Sequence, residues 1–433
     1  MVPIIRYWGR KVGNIAEYYI LKYSQPKEVV LDPFGGAGSI AKTALLLGRR
    51  CICSDLNPLA TLIAKVEIEG VDPTALKQAS TELLRRQRFY YLDNLRRRRW
   101  VSYSSLYEAR CNCGRISPVL YFLWQRKKIV AAKIKCRCGN PLFKFNGGEN
   151  KVIKDIVYEF PKANLQYPNG LSFLKRRQVN TIPEHFTKRN LLILAALLRD
   201  IKKLKTDERT KRALLVAFAS ILYQASKMSR QNGGTWSVNC YWIPKIHVER
   251  NPYFLFENAL KRLTRVKGLT IAQPVVEPVI NGGAQLAIIN VDAKQLPLPD
   301  NSVHLVVTDP PFTDEIQYFE LSYMAASWLG LPMPFEQEIV VNYKQGKKFE
   351  DYCRLLSKSF AEMYRVLQPG RRAVIMLHEE NEEILNSLVE LVEEVGFILE
   401  RRDKKHMTQR QIGNRNTIKG KDLFILDCRK PSV

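Results

Sequence analysis

Apolar residues follow two different spacings along this chain, and the places where the spacing changes divide it. Residues 28–31 are a short β-rich apolar run, a glycine-rich turn follows, and apolar positions at helical spacing over 40–47 end at Gly48. A second short run over 50–54 stops at Asp55, so residues 28–55 predict strand, helix and strand with a right-handed crossover, the opening of a parallel sheet. From 72 to 99 a polar, basic helical pattern ending in Arg96, Arg97, Arg98 and Arg99 replaces that signal and marks an insertion. The insertion holds two cysteine pairs, a basic loop through Arg177, two helices over 188–205 and 207–229, and a Gly-Gly loop with aromatics over 232–242. Strand patterns return over 287–291, 303–308, 373–377, 397–401 and 423–427. Helices over 351–367 and 380–395 separate the later ones, the first stopped by Pro369 and Gly370. The expected fold is α/β: a doubly wound, mostly parallel, seven-stranded sheet split into residues 1–71 and 286–433 by an insertion over 72–285.

Charge narrows what such a fold serves. Lysine and arginine number 68 against 42 aspartates and glutamates, and the balance of +26 exceeds what solubility requires. It points to a polyanionic partner, nucleic acid ahead of an anionic membrane surface. Basic clusters at 85–88, 96–99, 126–128, 175–177 and 202–212 lie mostly in the insertion, which makes it the expected nucleic-acid platform. Apolar stretches at 191–198 and 213–223 are shorter than the roughly 20 residues a bilayer span needs, so no membrane partner is expected. Residues 1–13 carry positive charge without the apolar segment or cleavage site of an export signal, and the cytoplasm is the expected compartment. Nine cysteines, four of them in two tight pairs, suit a metal site in a reducing compartment better than a disulfide framework.

Asp32-Pro33-Phe34-Gly35-Gly36-Ala37-Gly38-Ser39 sits where the first strand meets its helix, the place where open α/β sheets bind ligands. Its three glycines allow close backbone approach and supply amide donors near a helix N-terminus. Alone, this loop suits a dinucleotide equally well, because Asp55 at the second strand's end can hold a ribose diol in either case. The lack of a Gly-Lys-Ser or Gly-Lys-Thr step argues against a nucleoside triphosphate.

Asp309-Pro310-Pro311-Phe312 also follows a strand and should face the same crevice. An exocyclic base amine is a poor nucleophile, since its lone pair is delocalised into the ring, and acceptors that favour a tetrahedral nitrogen activate it. The Asp309 carboxylate and Pro310 carbonyl can be those acceptors. Pro310 and Pro311 stiffen the loop and remove competing N–H donors, and Phe312 offers a face on which an extruded base can stack.

In the insertion, Cys111-Asn112-Cys113-Gly114 and Cys136-Arg137-Cys138-Gly139 present four thiolates from two Gly-terminated turns, 22 residues apart, which suits a structural tetrahedral zinc. One residue separates the cysteines of each pair where two to four is usual, so the bite is tighter than a standard knuckle. Trp236, Tyr241 and Trp242 are candidates for filling the gap a flipped base leaves. His247, His378 and His406 show no ligand spacing.

Together the aspartate-proline-proline-aromatic loop and the upstream Asp-Pro-Phe-x-Gly-x-Gly loop resemble the amino-methyltransferases of prokaryotic DNA. That resemblance implies a Rossmann-like class I methyltransferase fold with S-adenosylmethionine as donor. Asp32, Phe34, Gly36 and Gly38, within the loop that also holds Pro33, Gly35 and Ser39, correspond to the methionine side of the cofactor site. In Asp55-Leu56-Asn57-Pro58, Asp55 and Asn57 correspond to the ribose-binding acid and its neighbour, and Asp292-Ala293 would approach the adenine. Trp8-Gly9 and Gly13-Asn14 occupy the place of an N-terminal cofactor-contacting segment. More narrowly, the cysteine pairs and Phe186-Thr187-Lys188-Arg189-Asn190-Leu191 are similar to adenine-specific DNA methylases containing a zinc ribbon, here over 107–145. The implied activity is methylation of an exocyclic base amine in DNA, adenine N6 first. Cytosine N4 in DNA or an amino group in RNA would use a similar loop, and a nucleic-acid-binding protein without turnover is the remaining rival.

Overall fold

In the structure, a computed structural model, the described residues are 13–85, 89–139, 141–144, 153–174, 179–231, 233–235, 241–314, 316–407 and 421–432. They fall into two compact units. Of the described residues, one, the sheet unit, comprises those of 13–70, Lys267–Phe319 and 332–432; the other, the inserted unit, comprises those of Val71–Val266 and Glu320–Leu331.

The sheet unit opens with α1 (Gly13–Tyr23), β1 (Val29–Asp32), α2 (Ser39–Leu46), β2 (Arg50–Ser54) and α3 (Pro58–Glu69). Every residue of β1 is buried, as befits a parallel strand covered on both faces. Helix α1 is an element the sequence reading did not foresee. Its Ala16 and Ile20 pack with Ile40, Ala41 and Ala44 of α2 over one face of the sheet.

The inserted unit then runs α4 (Pro73–Arg85), β3 (Phe89–Leu92), β4 (Arg98–Val101), β5 (Glu108–Arg110), β6 (Ile116–Gln125), β7 (Lys128–Ile134) and β8 (Leu142–Lys144). It continues with α5 (Lys188–Lys203), α6 (Glu208–Ala225), β9 (Ile246–Arg250) and α7 (Pro252–Leu263). Strand β6 is its spine, pairing antiparallel with β5, β7 and β9, while β8 extends the sheet beyond β7. Thr187 and Asp207 cap α5 and α6 by accepting the N–H groups of Asn190 and Thr210, so both helices start where their sequences predict. The Arg96–Arg99 run differs from expectation. It closes an antiparallel β3–β4 hairpin instead of ending a helix, because Tyr90, Tyr91, Trp100 and Val101 favour a strand ladder once α4 stops.

Back in the sheet unit come α8 (Glu277–Ile280), β10 (Leu286–Ile289), β11 (Val303–Thr308) and the start of α9 (Tyr318–Leu329), which belongs to the inserted unit from Glu320 onward. Then follow α10 (Phe349–Val366), β12 (Leu367–Leu377), α11 (Glu382–Glu394), β13 (Ile398–Met407) and β14 (Lys421–Arg429). Pro369 and Gly370 lie inside β12 and not in a separate turn; the β11–β12 register slips there, and Gly370 takes the left-handed conformation that the irregularity needs.

The sheet has seven strands in the order β10-β2-β1-β11-β12-β14-β13. The pairs from β10 to β12 are parallel, and β14 runs antiparallel to both β12 and β13, so the sheet is mixed with one reversed strand. Strand order turns between β1 and β11, which pair through Val30 with Leu305 and Leu31 with Val306. At such a turn the loops leaving the carboxyl ends separate and open a crevice. Among the described residues no helix is long and apolar enough to cross a membrane.

Candidate active site

At the end of β1, Asp32 is fully buried and its Oδ1 accepts the Thr308 hydroxyl at 2.8 Å, tying the tip of β1 to the tip of β11. The same oxygen accepts the Phe34 N–H at 3.3 Å and turns the chain into the glycine loop. Gly35 donates to the Ser54 carbonyl at 2.7 Å, and a Cβ there would sit 2.2 Å from Cys53 Sγ, so only glycine fits against β2. Gly38, in the left-handed conformation, precedes α2 and packs so closely that a Cβ would meet Ile68 at 2.9 Å. At the end of β2, Asp55 uses both carboxylate oxygens on backbone: Oδ2 accepts Gly36 N–H and Oδ1 accepts Asn57 N–H, each at 2.8 Å. Asn57 in turn caps α3 by accepting Leu59 N–H at 3.0 Å.

The second loop leaves β11. Asp309 is buried, and the Pro311 carbonyl accepts the Tyr352 hydroxyl at 2.9 Å, which fixes the corner from α10. Phe312 packs against His378 with ring centroids 4.4 Å apart, and His378 Nε2 lies 3.9 Å from Asp309 Oδ1. Burial holds the His378 imidazole down to about 4, so it is neutral near pH 7.

Both loops open onto one cavity within the sheet unit. Its wall contains Pro33, Phe34 and Gly36 from the first loop, Asp55, Leu56 and Asn57 from the end of β2, Asp292 and Ala293 after β10, and Asp309 and Pro311 from the second loop. Asp32, Gly35, Gly38 and Ser39 stand behind that wall as the frame of the loop, and Pro310 and Phe312 are not part of it. Asn14 is exposed on α1, while Trp8 and Gly9 lie outside the described residues. Tyr318, Phe319, Gln337, Glu338 and Ile339 complete the wall and were not foreseen. Glu338 accepts Phe319 N–H at 3.0 Å, which fastens the start of α9 to the segment after it. Burial, with the Asp309 and Asp55 carboxylates adding to it, pushes the Tyr318 phenol well above its ordinary range, so it remains a protonated donor. Among the described residues four carboxylates and no lysine or arginine line the cavity, one of the carboxylates, Asp292, being ion-paired to Lys294 at 2.7 Å. The remaining excess of negative charge suits a ligand bearing positive charge better than a pyrophosphate.

Residues 10–65 match a family model described as DNA methylase. Over 437 aligned residues the chain is 21% identical to the Type II methyltransferase M.MjaII of Methanocaldococcus jannaschii, covering 95% of this chain and 77% of that protein. The resemblance to amino-methyltransferases of prokaryotic DNA stands. Among solved structures, one described as a candidate DNA modification methylase from Thermus thermophilus is 22% identical, with a TM-score of 0.21 over 33% of this chain; the match spans 53% of that chain, about half its length. An S-adenosylmethionine-dependent methyltransferase from Methanosarcina mazei is 12% identical, with a TM-score of 0.24 over 41% of this chain and 77% of that one.

Besides the two loops at the cavity, the chain carries a second cluster of reactive side chains. In the inserted unit the Sγ atoms of Cys111, Cys113, Cys136 and Cys138 lie within 4.8 Å of one another. Cys111 and Cys138 are 3.4 Å apart, and Cys113 and Cys136 are 3.6 Å apart. Four thiolates about 2.3 Å from a tetrahedral zinc stand about 3.8 Å from each other, so the cluster is compatible with zinc. Two glycine-terminated turns present it: Gly114 N–H bonds the Cys111 carbonyl at 2.8 Å, and Gly139 N–H bonds the Cys136 carbonyl at 3.2 Å, both glycines at positive φ. The single residue inside each pair is thereby accommodated. The Ser117 hydrogen bond, with help from Cys138, lowers the Cys136 thiol, while hydrogen bonds with Cys111, Cys136 and Cys113 raise the Cys138 thiol, as expected of neighbouring sulfurs that share protons.

Two other candidates prove to be framework. In the stretch 186–191, Thr187 caps α5, and Asn190 donates to the Ala225 and Arg250 carbonyls at 2.7 and 2.9 Å. Tyr241 is buried and its hydroxyl donates to the Glu320 carbonyl at 2.6 Å, so it is not available to fill a gap in a base stack. Trp242 is half-buried, and Trp236 lies outside the described residues.

Proposed function

We propose that this protein is an S-adenosylmethionine-dependent methyltransferase acting on an exocyclic base amine in DNA, with adenine N6 as the target. The observation that carries the reading is that Asp309 and Pro311 share one cavity wall with Phe34, Gly36, Asp55 and Asn57. A wall with four carboxylates, of which Asp292 is paired to Lys294, favours a sulfonium donor with a free amino group over a dinucleotide, whose pyrophosphate the sequence alone left open.

The donor, when bound, supplies an electrophilic methyl group; the chain supplies position and polarity. Asp55, anchored by two backbone N–H groups, presents a fixed carboxylate to a ribose diol, and Asp292, ion-paired to Lys294 at 2.7 Å, stands where the adenine would lie. Asp309 accepts one N–H of the target amine and the Pro310 carbonyl the other, which draws the nitrogen toward tetrahedral geometry and frees its lone pair for attack. The Pro311 carbonyl is already engaged by Tyr352, which keeps the corner from rotating. Phe312, packed against His378, is the surface for the extruded base. Holding two reactants in line accounts for most of the acceleration such a site requires. Adenine is preferred over cytosine because the cysteine pairs and the 186–191 stretch resemble adenine-specific methylases with a zinc ribbon, and in the same reading the four thiolates hold one structural zinc.

Replacing Asp309 with alanine tests the assignment. Donor binding, measured by equilibrium dialysis, should stay within a few-fold of the unmodified protein while methyl transfer to DNA falls by about 100- to 1,000-fold, the loss typical for one activating hydrogen-bond partner. Full transfer activity in that variant overturns the role.

A further inference from the structure

The β3–β4 hairpin of the inserted unit carries an arrangement that the catalytic reading does not use. Cross-strand pairing sets Tyr90 opposite Trp100 and Leu92 opposite Arg98, so these four share one face. The Tyr90 and Trp100 rings are 5.0 Å apart, and the Arg98 guanidinium lies over Tyr90 at 5.1 Å. The ladder continues inward: Tyr158 meets Tyr90 edge-on at 5.9 Å and its hydroxyl oxygen accepts the Tyr90 N–H at 2.9 Å, and the Arg199 guanidinium covers Tyr158 at 4.3 Å. Arg199 is itself anchored to Asp200 at 2.6 Å. At its outer end the ladder stops on Trp100, which is 61% exposed. Its exposure leaves one face of the ladder open to a ligand.

Charge on the hairpin tip is apportioned unevenly. Asp93 engages Arg97 and Arg99 at 3.1 and 2.8 Å and also accepts the backbone N–H groups of Leu95 and Arg97. Arg96 and Arg98 pair with no carboxylate among the described residues, and both are exposed. Arg96 also holds a φ of 55°, a left-handed position that glycine or asparagine fills at less cost. The chain thus keeps arginine where local geometry disfavours it, beside a second unneutralised arginine and an exposed ring. Guanidinium groups for phosphates next to an aromatic face for bases is the combination that binds nucleic-acid strands without sequence preference.

We infer that the β3–β4 hairpin is a DNA-contacting element, in which Arg96 and Arg98 engage backbone phosphates and the Trp100 indole receives an unpaired or partly unstacked base. This rests on DNA as the substrate in the reading above and adds the surface by which the inserted unit holds it. The test uses the full chain with fluorescently labelled 30-mer duplex and single-stranded DNA, and follows anisotropy between about 50 and 200 mM salt. Arg96→Gln combined with Arg98→Gln should flatten the slope of log K against log salt on duplex by about 1.8, the loss of two phosphate contacts. Trp100→Ala should weaken single-strand binding by roughly 5- to 150-fold with the slope unchanged, and Trp100→Phe should restore most of it. Circular dichroism identical to the unmodified protein shows that each exposed substitution leaves the fold intact. Variants that bind DNA as the parent does overturn the hairpin's role even if the parent methylates DNA. The expected slope changes in a protein that transfers no methyl group would leave the hairpin's role standing and remove the enzymatic reading, and a parent that binds RNA but not DNA overturns both.

Discussion

His378 shows how a single side chain can matter to a site without ligand spacing of its own. It lies just past the end of β12, the neighbour of β11 in the sheet, and it packs on Phe312 beside Asp309. Its proximity to the Pro-Pro loop follows from strand order, which a linear sequence does not display, so the signal that could have found it is its place after a strand. Burial lowers its folded pKa to about 4, whereas in the unfolded chain it titrates near 6.5. Between those values the unfolded chain binds more protons, so stability rises with pH across the window; the contribution is complete above pH 6.5 and is lost as pH falls toward 4. A shift of that size corresponds to about 3 kcal/mol. His378→Phe should therefore lose less stability than the unmodified protein between pH 6.5 and 4 in urea titrations. Equal acid sensitivity of the two proteins would contradict neutral burial at this position.

At the scale of elements, what the sequence made plain were the loops whose chemistry depends on local geometry. The glycine loop is one, because Gly35 must pass against Cys53 and Ser54, and Gly38 against Ile68, wherever the strand and helix go. Gly35→Ala should cost about 1–3 kcal/mol by crowding β2, measured by thermal or urea unfolding, whereas Gly170→Ala meets no neighbouring atom within 4 Å and should cost only the strain of its left-handed backbone. Elements that depend on partners elsewhere were harder to see. The β3–β4 hairpin carries four consecutive arginines that read as helix until the pairing of Tyr90 with Trp100 is known. Helix α1 and the wall residues Tyr318, Gln337 and Glu338 take their meaning from the sheet and from each other. The cysteine turns were legible as a cluster because both end in glycine at positive φ. Cys136→Ser with Cys138→Ser should abolish stoichiometric zinc in mass-spectrometric metal analysis and lower the melting temperature, and a double variant with unchanged metal content and melting would remove the zinc assignment.

Over the whole chain, the two units differ in chemistry: carboxylates gather around the cavity of the sheet unit, and guanidinium groups and the exposed Trp100 lie on a hairpin of the inserted unit. The overall charge of +26 pointed to a polyanion from composition alone. That the loops at 32–39 and 309–312 would face one crevice was legible, because each follows the carboxyl end of a strand; the strand order that sets β1 beside β11 required the fold. The meeting of these loops in one cavity is the claim on which the functional account rests. It is tested most directly by incubating the protein with methyl-labelled S-adenosylmethionine and either DNA or RNA, digesting each polymer to nucleosides and identifying the labelled product. The account expects label in N6-methyldeoxyadenosine from DNA. Label confined to RNA or to N4-methyldeoxycytidine would correct the target, and a methyl group found on a ring carbon, or on no base of either polymer, would contradict the account.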